Sequence, residues 1–247
     1  MSKVYETGCA KNAANFETLI TYAIGYGAIY KPSKTSINIG NMQIQLVKVK
    51  DAVSELHTTL ASCSNAIAAR EIGFEPIQKL STRLLNSLKA TDTPTQIIEN
   101  AATINRKLQG KRVSPKLTEE EKNALAAEGK VINQISASQQ SYDSVLDHFD
   151  KLVKLLSSIP QYKPNETELK ITTLTALNTT LKQLNTTVIT NEIALSNVRL
   201  LRNEVMYNLQ TGLVVTAQDV KTYVKSLFGA TSVQYKQISG LSFRMVK

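Results

Sequence analysis

The sequence predicts an all-α protein: an elongated antiparallel bundle of long heptad-patterned helices with an internal pseudo-repeat. Apolar residues recur at alternating steps of three and four over two long segments, which is the pattern of helices packed side by side. Only 10 Gly and 6 Pro occur in 247 residues, which is few for an all-β chain. A Tyr-Lys-Pro segment opens both long runs, at Tyr30 and at Tyr162, 132 positions apart (162 − 30).

The first half is predicted to form four helices separated by turn signals. A helix of about 16 residues carries Phe16 and ends near Gly27, before Pro32. A long helix from about Ser36 to Glu71 follows, and two shorter helices come after Pro76 and after Pro94. The apolar seam of the long helix comprises Met42, Leu46, Val49, Val53, Leu56, Leu60, Cys63 and Ile67.

A linker is expected between the two halves of the chain. Residues 109–116 contain a glycine, a proline and three basic residues, with Val113 as the one apolar side chain. Such a composition is typical of an exposed connection. We therefore divide the chain into residues 1–116 and 117–247, two helical halves packed as one elongated unit.

The second half is predicted to begin with a capping box at Thr118–Glu121, which opens a helix running to Ile159. A second capping pattern at Asn165–Glu168 opens the longest heptad register, from Leu174 to Leu209. A helix near Ala217–Phe228 follows. In the tail, Leu241, Phe243 and Val246 alternate as a short strand would.

The offset of 132 positions aligns apolar seam residues of the two halves. Met42 aligns with Leu174, Val49 with Leu181, and Arg70 with Arg202. A repeat of helical units is typical of a packing scaffold, because each unit buries its apolar stripe against its neighbour. Convergent heptad composition is the alternative explanation for the same alignment.

Polar residues interrupt these seams at Arg70, Asn191 and Arg202. A polar seam residue costs stability and can specify register or oligomeric state, so these residues are candidates for assembly specificity. Alternatively, the two arginines lie near helix ends and extend to solvent.

The second long helix is also rich in threonine, a mediocre helix former. We expect packing to hold this helix, with its outer face covered by the other half or by another subunit. The threonines are Thr172, Thr173, Thr175, Thr179, Thr180, Thr186, Thr187 and Thr190.

Asp143, Asp147 and Asp150 share one helix face, with His148 beside them. Carboxylate-bridged metal sites in helical bundles need ligands from several helices, and His57 is the only other histidine. Lysines four residues after Asp147 and Asp150 favour ordinary ion pairs. Because no phosphate-binding, dinucleotide or nucleophile motif appears either, we expect no catalytic residue, metal or cofactor.

The net charge of +9 favours acidic partners, either an acidic protein or a nucleic acid. Two basic clusters are candidate contact surfaces. The second interleaves aromatic residues, as surfaces that bind nucleic acid or a neighbouring subunit often do. The first cluster is Arg106, Lys107, Lys111 and Arg112; the second is Lys221, Tyr223, Lys225, Phe228, Tyr235, Lys236, Phe243 and Arg244.

Residues 1–7 lack an apolar core, so we expect no secretory signal and, by default, a cytoplasmic protein. No run approaches the ~20 apolar residues that span a bilayer. Cys63 lies on an apolar seam, where a free thiol behaves as a small hydrophobe.

The C-terminal sequence Val220–Ser232, Val-Lys-Thr-Tyr-Val-Lys-Ser-Leu-Phe-Gly-Ala-Thr-Ser, and its continuation at Gln234–Phe243 resemble the ending of a group of uncharacterised helical bacterial proteins. The resemblance covers the last third of the chain, including the helix entry at Tyr162–Glu166. It implies a bacterial origin and a shared helical fold. It transfers no site residues, because no activity is assigned to that group.

Together these features predict a non-enzymatic structural or interaction protein. We expect a homo-oligomer or polymer that associates through long helical faces and the basic, aromatic tail. The alternative is a nucleic-acid-associated helical protein that uses the same basic surfaces.

Overall fold

The computed structural model describes residues 7–111, 118, 120, 123, 124, 127 and 140–245. Within these residues the chain is all-helical. Short 3-10 turns at Gly27–Ile29, Thr35–Ile37 and Thr167–Leu169 precede the two long helices. The helices are α1 (Thr7–Gly25), α2 (Ile39–Phe74), α3 (Ile77–Lys89), α4 (Thr95–Leu108), α5 (Tyr142–Ser157), α6 (Ile171–Tyr207), α7 (Leu213–Phe228) and α8 (Val233–Ser239).

The chain divides into two compact units. Unit 1 comprises Met1–Ser64 and Thr190–Lys247, and unit 2 comprises Asn65–Ile189. The divisions fall within α2 and within α6, so each long helix contributes to both units. Each unit thus combines segments from both sequence halves. The boundary expected from the linker lies mostly outside the described residues.

Unit 1 buries its core among α1, α7, α8, the first part of α2 and the last part of α6. Burial of aliphatic and aromatic side chains is the main favourable contribution to such a core. The most deeply buried side chains of unit 1 include Phe16, Leu19, Met42, Val49, Met206, Leu213, Val220, Val224 and Ile238.

Unit 2 buries a second core, in which α4 packs against α3 and α5. The remainder of α2 and the first part of α6 complete it. Its most deeply buried side chains include Ile77, Leu84, Leu88, Ala101, Leu108, Phe149, Leu152, Leu156, Leu174 and Leu181.

A buried tyrosine stabilises the entry to each long helix. In unit 1 the Tyr30 hydroxyl donates to the Ile37 carbonyl at 2.9 Å, and in unit 2 the Tyr162 hydroxyl donates to the Leu169 carbonyl at 3.0 Å. Burial raises the pKa of both phenols above the usual value. Each bond spans a 3-10 turn, so it holds the chain that leads into the helix.

An ion pair accompanies each of these entries. In unit 1 Lys34, just before the 3-10 turn, pairs with Asp219 of α7. In unit 2 Glu168, within the corresponding turn, pairs with Arg83 of α3. The side chains are largely exposed, so we expect each pair to contribute little to stability on its own.

Two sequence-based predictions of local structure are wrong. Much of the helix expected from Thr118 to Ile159 lies outside the described residues, but it does not run unbroken to Ile159, because Gln140 and Ser141 are not helical. The Ser141 hydroxyl accepts from the Ser144 amide at 3.2 Å and caps a new helix, α5. Asn165–Glu168 leads into a 3-10 turn, and α6 begins only at Ile171.

The sequence assigns no definite element to the tail, although Leu241, Phe243 and Val246 alternate as a short strand would. The structure forms helix α8 before these residues, capped by Ser232, and residues 241–245 adopt no regular structure. Val246 lies outside the described residues. The capping serine initiates a helix that alternation in so short a segment does not reveal.

None of the described helices combines the length and apolarity needed to cross a bilayer.

Gly212 is required by a close approach of the backbone at the turn between α6 and α7. A Cβ atom there would lie 2.6 Å from both the Asn208 nitrogen and the Asn208 oxygen of the backbone. A Cβ atom at Gly240, by contrast, would have no other atom within 4 Å, and the φ angle of Gly240 is −75°.

We expect Gly212→Ala to lower the free energy of unfolding by about 1–3 kcal/mol, since backbone must shift to relieve the overlap. Gly240→Ala is the matched control and should change it by less than about 0.5 kcal/mol. Urea denaturation followed by circular dichroism measures both. Equal effects of the two substitutions would contradict this account of the turn.

Candidate functional site

The first basic cluster lies at the end of α4. Arg106 is half-buried and Lys107 is exposed, both in the last helical turn, and Lys111 is exposed just beyond it. Arg112 lies outside the described residues. Basic side chains at a helix C-terminus interact favourably with the helix dipole, so a local structural role accounts for Arg106 and Lys107.

The aromatic residues of the second cluster pack into unit 1. Tyr223 meets Tyr30 edge-on, with ring centroids 5.3 Å apart, and its hydroxyl accepts from the Lys31 amide at 3.2 Å. Phe228 lies 5.2 Å from Tyr26. Tyr235 and Phe243 are half-buried against the same core. These side chains are therefore part of the fold and offer little free surface to a partner.

Two asparagines of α1 hold the tail in place. The buried Asn12 side chain donates to the Arg244 carbonyl at 2.8 Å and accepts from the Arg244 amide at 3.0 Å. Asn15 donates to the Ser242 carbonyl at 2.7 Å. Neither role is predictable from the sequence, because a polar residue on a predicted helix does not reveal a partner more than two hundred positions away.

The basic residues of the tail divide into two groups. Lys221 is half-buried and donates to the carbonyls of Ser239 and Leu241, and desolvation lowers its pKa. Its role is structural. Lys225, Lys236 and Arg244 are exposed and remain the solvent-facing part of the cluster.

Arg202, a polar residue of the predicted seam, is buried in unit 1 with 3% of its surface exposed. Its Nη1 donates to Cys9 Sγ at 3.0 Å, and its Nε donates to Asn203 Oδ1 at 2.9 Å. The Tyr207 hydroxyl lies 3.2 Å from the same sulfur, and burial is the main cause that raises the pKa of this phenol. The alternative that Arg202 extends to solvent is therefore wrong.

Arg70 makes contacts within unit 2 that differ from those of Arg202. Its guanidinium lies 4.0 Å from the centroid of the Tyr142 ring, which Phe74 meets edge-on at 4.9 Å. Arg70 Nη1 also donates to Asn185 Oδ1 at 3.0 Å. Both arginines thus bind inside their own unit, while Asn191 is half-buried on α6. A role for these residues in assembly stays a prediction.

The aspartates of α5 form the ion pairs that their spacing predicts. Lys151 pairs with Asp147, and Lys154 pairs with Asp150, each at 2.6 Å. Among the described residues, no three histidine, cysteine, aspartate or glutamate side chains are grouped so that they could hold a metal ion.

Two buried asparagines of α6 extend this polar contact. Asn178 donates to Asp150 at 2.5 Å, and Asn185 donates to Asp143 at 2.8 Å. Hydrogen bonds from Lys154, Lys182 and Asn178 hold the pKa of the Asp150 carboxyl well below its usual range. The aspartates thus attach α5 to α6, which the sequence did not predict because their asparagine partners occur on another helix.

The outer face of α6 is exposed and carries few charged residues. In unit 1 it exposes Ile193 and Leu200, which are 58% and 64% accessible, and also Leu201. In unit 2 it exposes threonines, among them Thr172, Thr175 and Thr179. A helix face that meets only water normally carries charged residues, so this face is a candidate interaction surface.

Comparison of the chain with protein-family models finds no match, and searches of curated proteins and of solved structures find none either. Function is therefore argued from the residues and their contacts alone.

Both cysteines are free thiols and both are buried. Cys63 occupies the apolar seam of α2, as predicted from its spacing.

His148 is buried in α5, and the structure makes it a source of pH-dependent stability. Burial and the nearby Lys107 and Lys151 lower its pKa, against the opposing effect of Asp147. The unfolded chain binds a proton at this histidine more readily than the folded chain does. The stability contributed by neutral His148 is therefore fully present above the ordinary histidine pKa of about 6.5 and is lost as the pH falls below it.

We expect the melting temperature to fall between pH 7.5 and pH 5.5, and His148→Gln to flatten this dependence. His57 is exposed, so His57→Gln is the matched control and should keep the wild-type slope. Thermal melts followed by circular dichroism at several pH values give both slopes. An unchanged slope in His148→Gln would assign the dependence to other groups.

Proposed function

We propose that this chain is a non-enzymatic structural or interaction protein that associates with copies of itself through the outer faces of its long helices. The observation that carries the proposal is the outer face of α6, where exposed threonine, isoleucine and leucine side chains outnumber the charged ones. The exposed basic residues of the tail, Lys225, Lys236 and Arg244, provide an additional charged contact surface.

The threonines of α6 support this proposal by the way in which they use their hydroxyl groups. Thr175, Thr179 and Thr180 each donate to the backbone carbonyl four residues earlier. A hydroxyl bonded in this way makes fewer hydrogen bonds to water, and the threonine methyl group is left on the surface. Covering such a face with another helix therefore costs less desolvation than covering a charged face.

In unit 1 the same face becomes apolar. Ile193 and Leu200 are seven residues apart, so they lie on nearly the same line along the helix. Their burial by a partner would remove apolar surface from water, at about 25 cal/mol per Å². This supports association that persists in salt.

We also propose that the chain contains two copies of one helical unit. The tyrosine bonds that span seven residues, Tyr30 to Ile37 and Tyr162 to Leu169, support it. So does the burial of aligned pairs: Met42 and Leu174 are both fully buried, as are Val49 and Leu181. Shared heptad composition alone does not require equivalent tyrosine contacts before both long helices.

The alternative proposal is a nucleic-acid-associated protein that uses Arg106, Lys107 and Lys111 together with the exposed tail residues. Its support is the net charge of +9 and the exposure of several of these side chains. Binding to phosphates weakens steeply with ionic strength, whereas apolar association does not. Salt dependence therefore separates the two proposals.

We expect light scattering after size-exclusion chromatography to give a mass well above the 27.2 kDa of the monomer, in both low and high salt. Ile193→Lys combined with Leu200→Lys should lower this mass, because it places charges on the outer face of α6. Val233→Lys, at an exposed apolar residue of α8, is the control and should leave the mass unchanged.

A monomer at all protein concentrations tested would refute self-association. Truncation of the tail is a poor test, because it removes Ile238 from the core of unit 1. Lys225→Gln, Lys236→Gln and Arg244→Gln test the tail surface instead, since all three side chains are exposed.

A further inference from the structure

Unit 1 contains a groove of about 470 Å³ between the start of α2 and the end of α6. The 3-10 turn before α2 and the turn that connects α6 to α7 also contribute residues to the lining of the groove. The groove is open to solvent and lies apart from the basic clusters described above.

The walls of the groove are held in place by internal hydrogen bonds. Asn41 donates to the Thr35 carbonyl at 2.7 Å, and Gln45 donates to the Thr211 carbonyl at 2.8 Å. The Thr216 hydroxyl donates to the Gly212 carbonyl at 3.1 Å. A partner therefore meets a preformed surface, which lowers the entropic cost of binding.

Apolar side chains line and flank the groove. Ile44 of α2 and Val205 of α6 line it, and Ile44 is exposed. Leu201 is four residues before Val205, so it lies on the same side of α6, and it is exposed. Leu209, in the turn after α6, is 77% accessible. Together they form an apolar margin that extends beyond the groove itself.

Each helical wall of the groove carries one charged residue, and the two charges are opposite in sign. Lys48 lies on the α2 wall and Glu204 lies on the α6 wall. Within the described part of the chain neither forms an ion pair, and Glu204 accepts only from Asn208, at 2.6 Å. The groove therefore presents a basic wall opposite an acidic wall, and both charges are available to a partner.

We propose that this groove binds the same groove of a second copy of the chain, with Lys48 of each copy pairing with Glu204 of the other. In a two-fold symmetric interface, a contact from one residue to another is repeated in the reverse direction. When the two-fold axis runs along the groove, the two walls exchange places, so that the basic wall of each copy faces the acidic wall of the other. The flanking apolar residues are buried in the same contact. This inference rests on the self-association proposed above and extends its interface from the outer face of α6 to the adjoining groove.

Charge reversal tests the pairing directly. Lys48→Glu and Glu204→Lys should each raise the dissociation constant of the dimer about tenfold or more, because like charges then meet. The double variant restores the pairs and should return the constant to within about threefold of wild type. Sedimentation equilibrium on the full-length protein measures the constants, and circular dichroism confirms that each variant is folded.

Glu17 and Lys50 supply the matched control. They form an exposed ion pair at 2.8 Å between α1 and α2, outside the groove. Lys50→Glu and Glu17→Lys make the same charge changes in the same unit, and the dissociation constant should stay within about threefold of wild type, since exposed pairs contribute little.

The outcomes separate this interface from self-association in general. If the wild type associates and the groove variants leave its dissociation constant unchanged, the groove is not the interface and another face mediates association. If the single variants weaken association but the double variant does not recover it, the pairing between copies is wrong. A monomeric wild type would overturn both the interface and the proposed function.

Discussion

The structure depends on the burial of the apolar seams of α2 and α6 in two separate cores. Met42 and Val49 of α2 belong to the core of unit 1, whereas Phe74, at the end of the same helix, belongs to the core of unit 2. Leu174 and Met206 divide α6 in the same way. Both long helices owe most of their stability to the packing of these seams, so the shorter helices must cover them.

Polar contacts then fix the segments of the chain that apolar packing alone does not hold in one arrangement. The tyrosine bonds at the two helix entries, and the bonds from two asparagines to the tail, occur where the backbone leaves regular structure. A buried polar group without a partner costs about 1–3 kcal/mol, so each of these contacts excludes alternative arrangements of its segment. The same reasoning explains why Asp150 is bound by three side chains from two helices.

The heptad pattern predicted the existence and approximate limits of the long helices, because burial on one face imposes a regular spacing. It could not predict where α5 begins or that Val233–Ser239 is helical, since single serine caps decide both. The candidate clusters were visible as charges and aromatics in the sequence. Whether Lys221 serves a partner or the fold depends on carbonyls that only the tertiary structure brings near it. Asn178 and Asn185 were unpredictable for the same reason.

The order of segments along the chain bears on how the protein folds during synthesis. Asn65–Ile189 is continuous, so all of unit 2 has left the ribosome while the last part of the chain is still being made. Unit 1 joins Asn12 to Arg244 across 232 positions and cannot be completed until Arg244 has been made. Until then α1 and the first part of α2 lack α7 and α8 as packing partners. Nascent chains stalled before Leu213 should therefore expose the apolar face of α1 to chaperones.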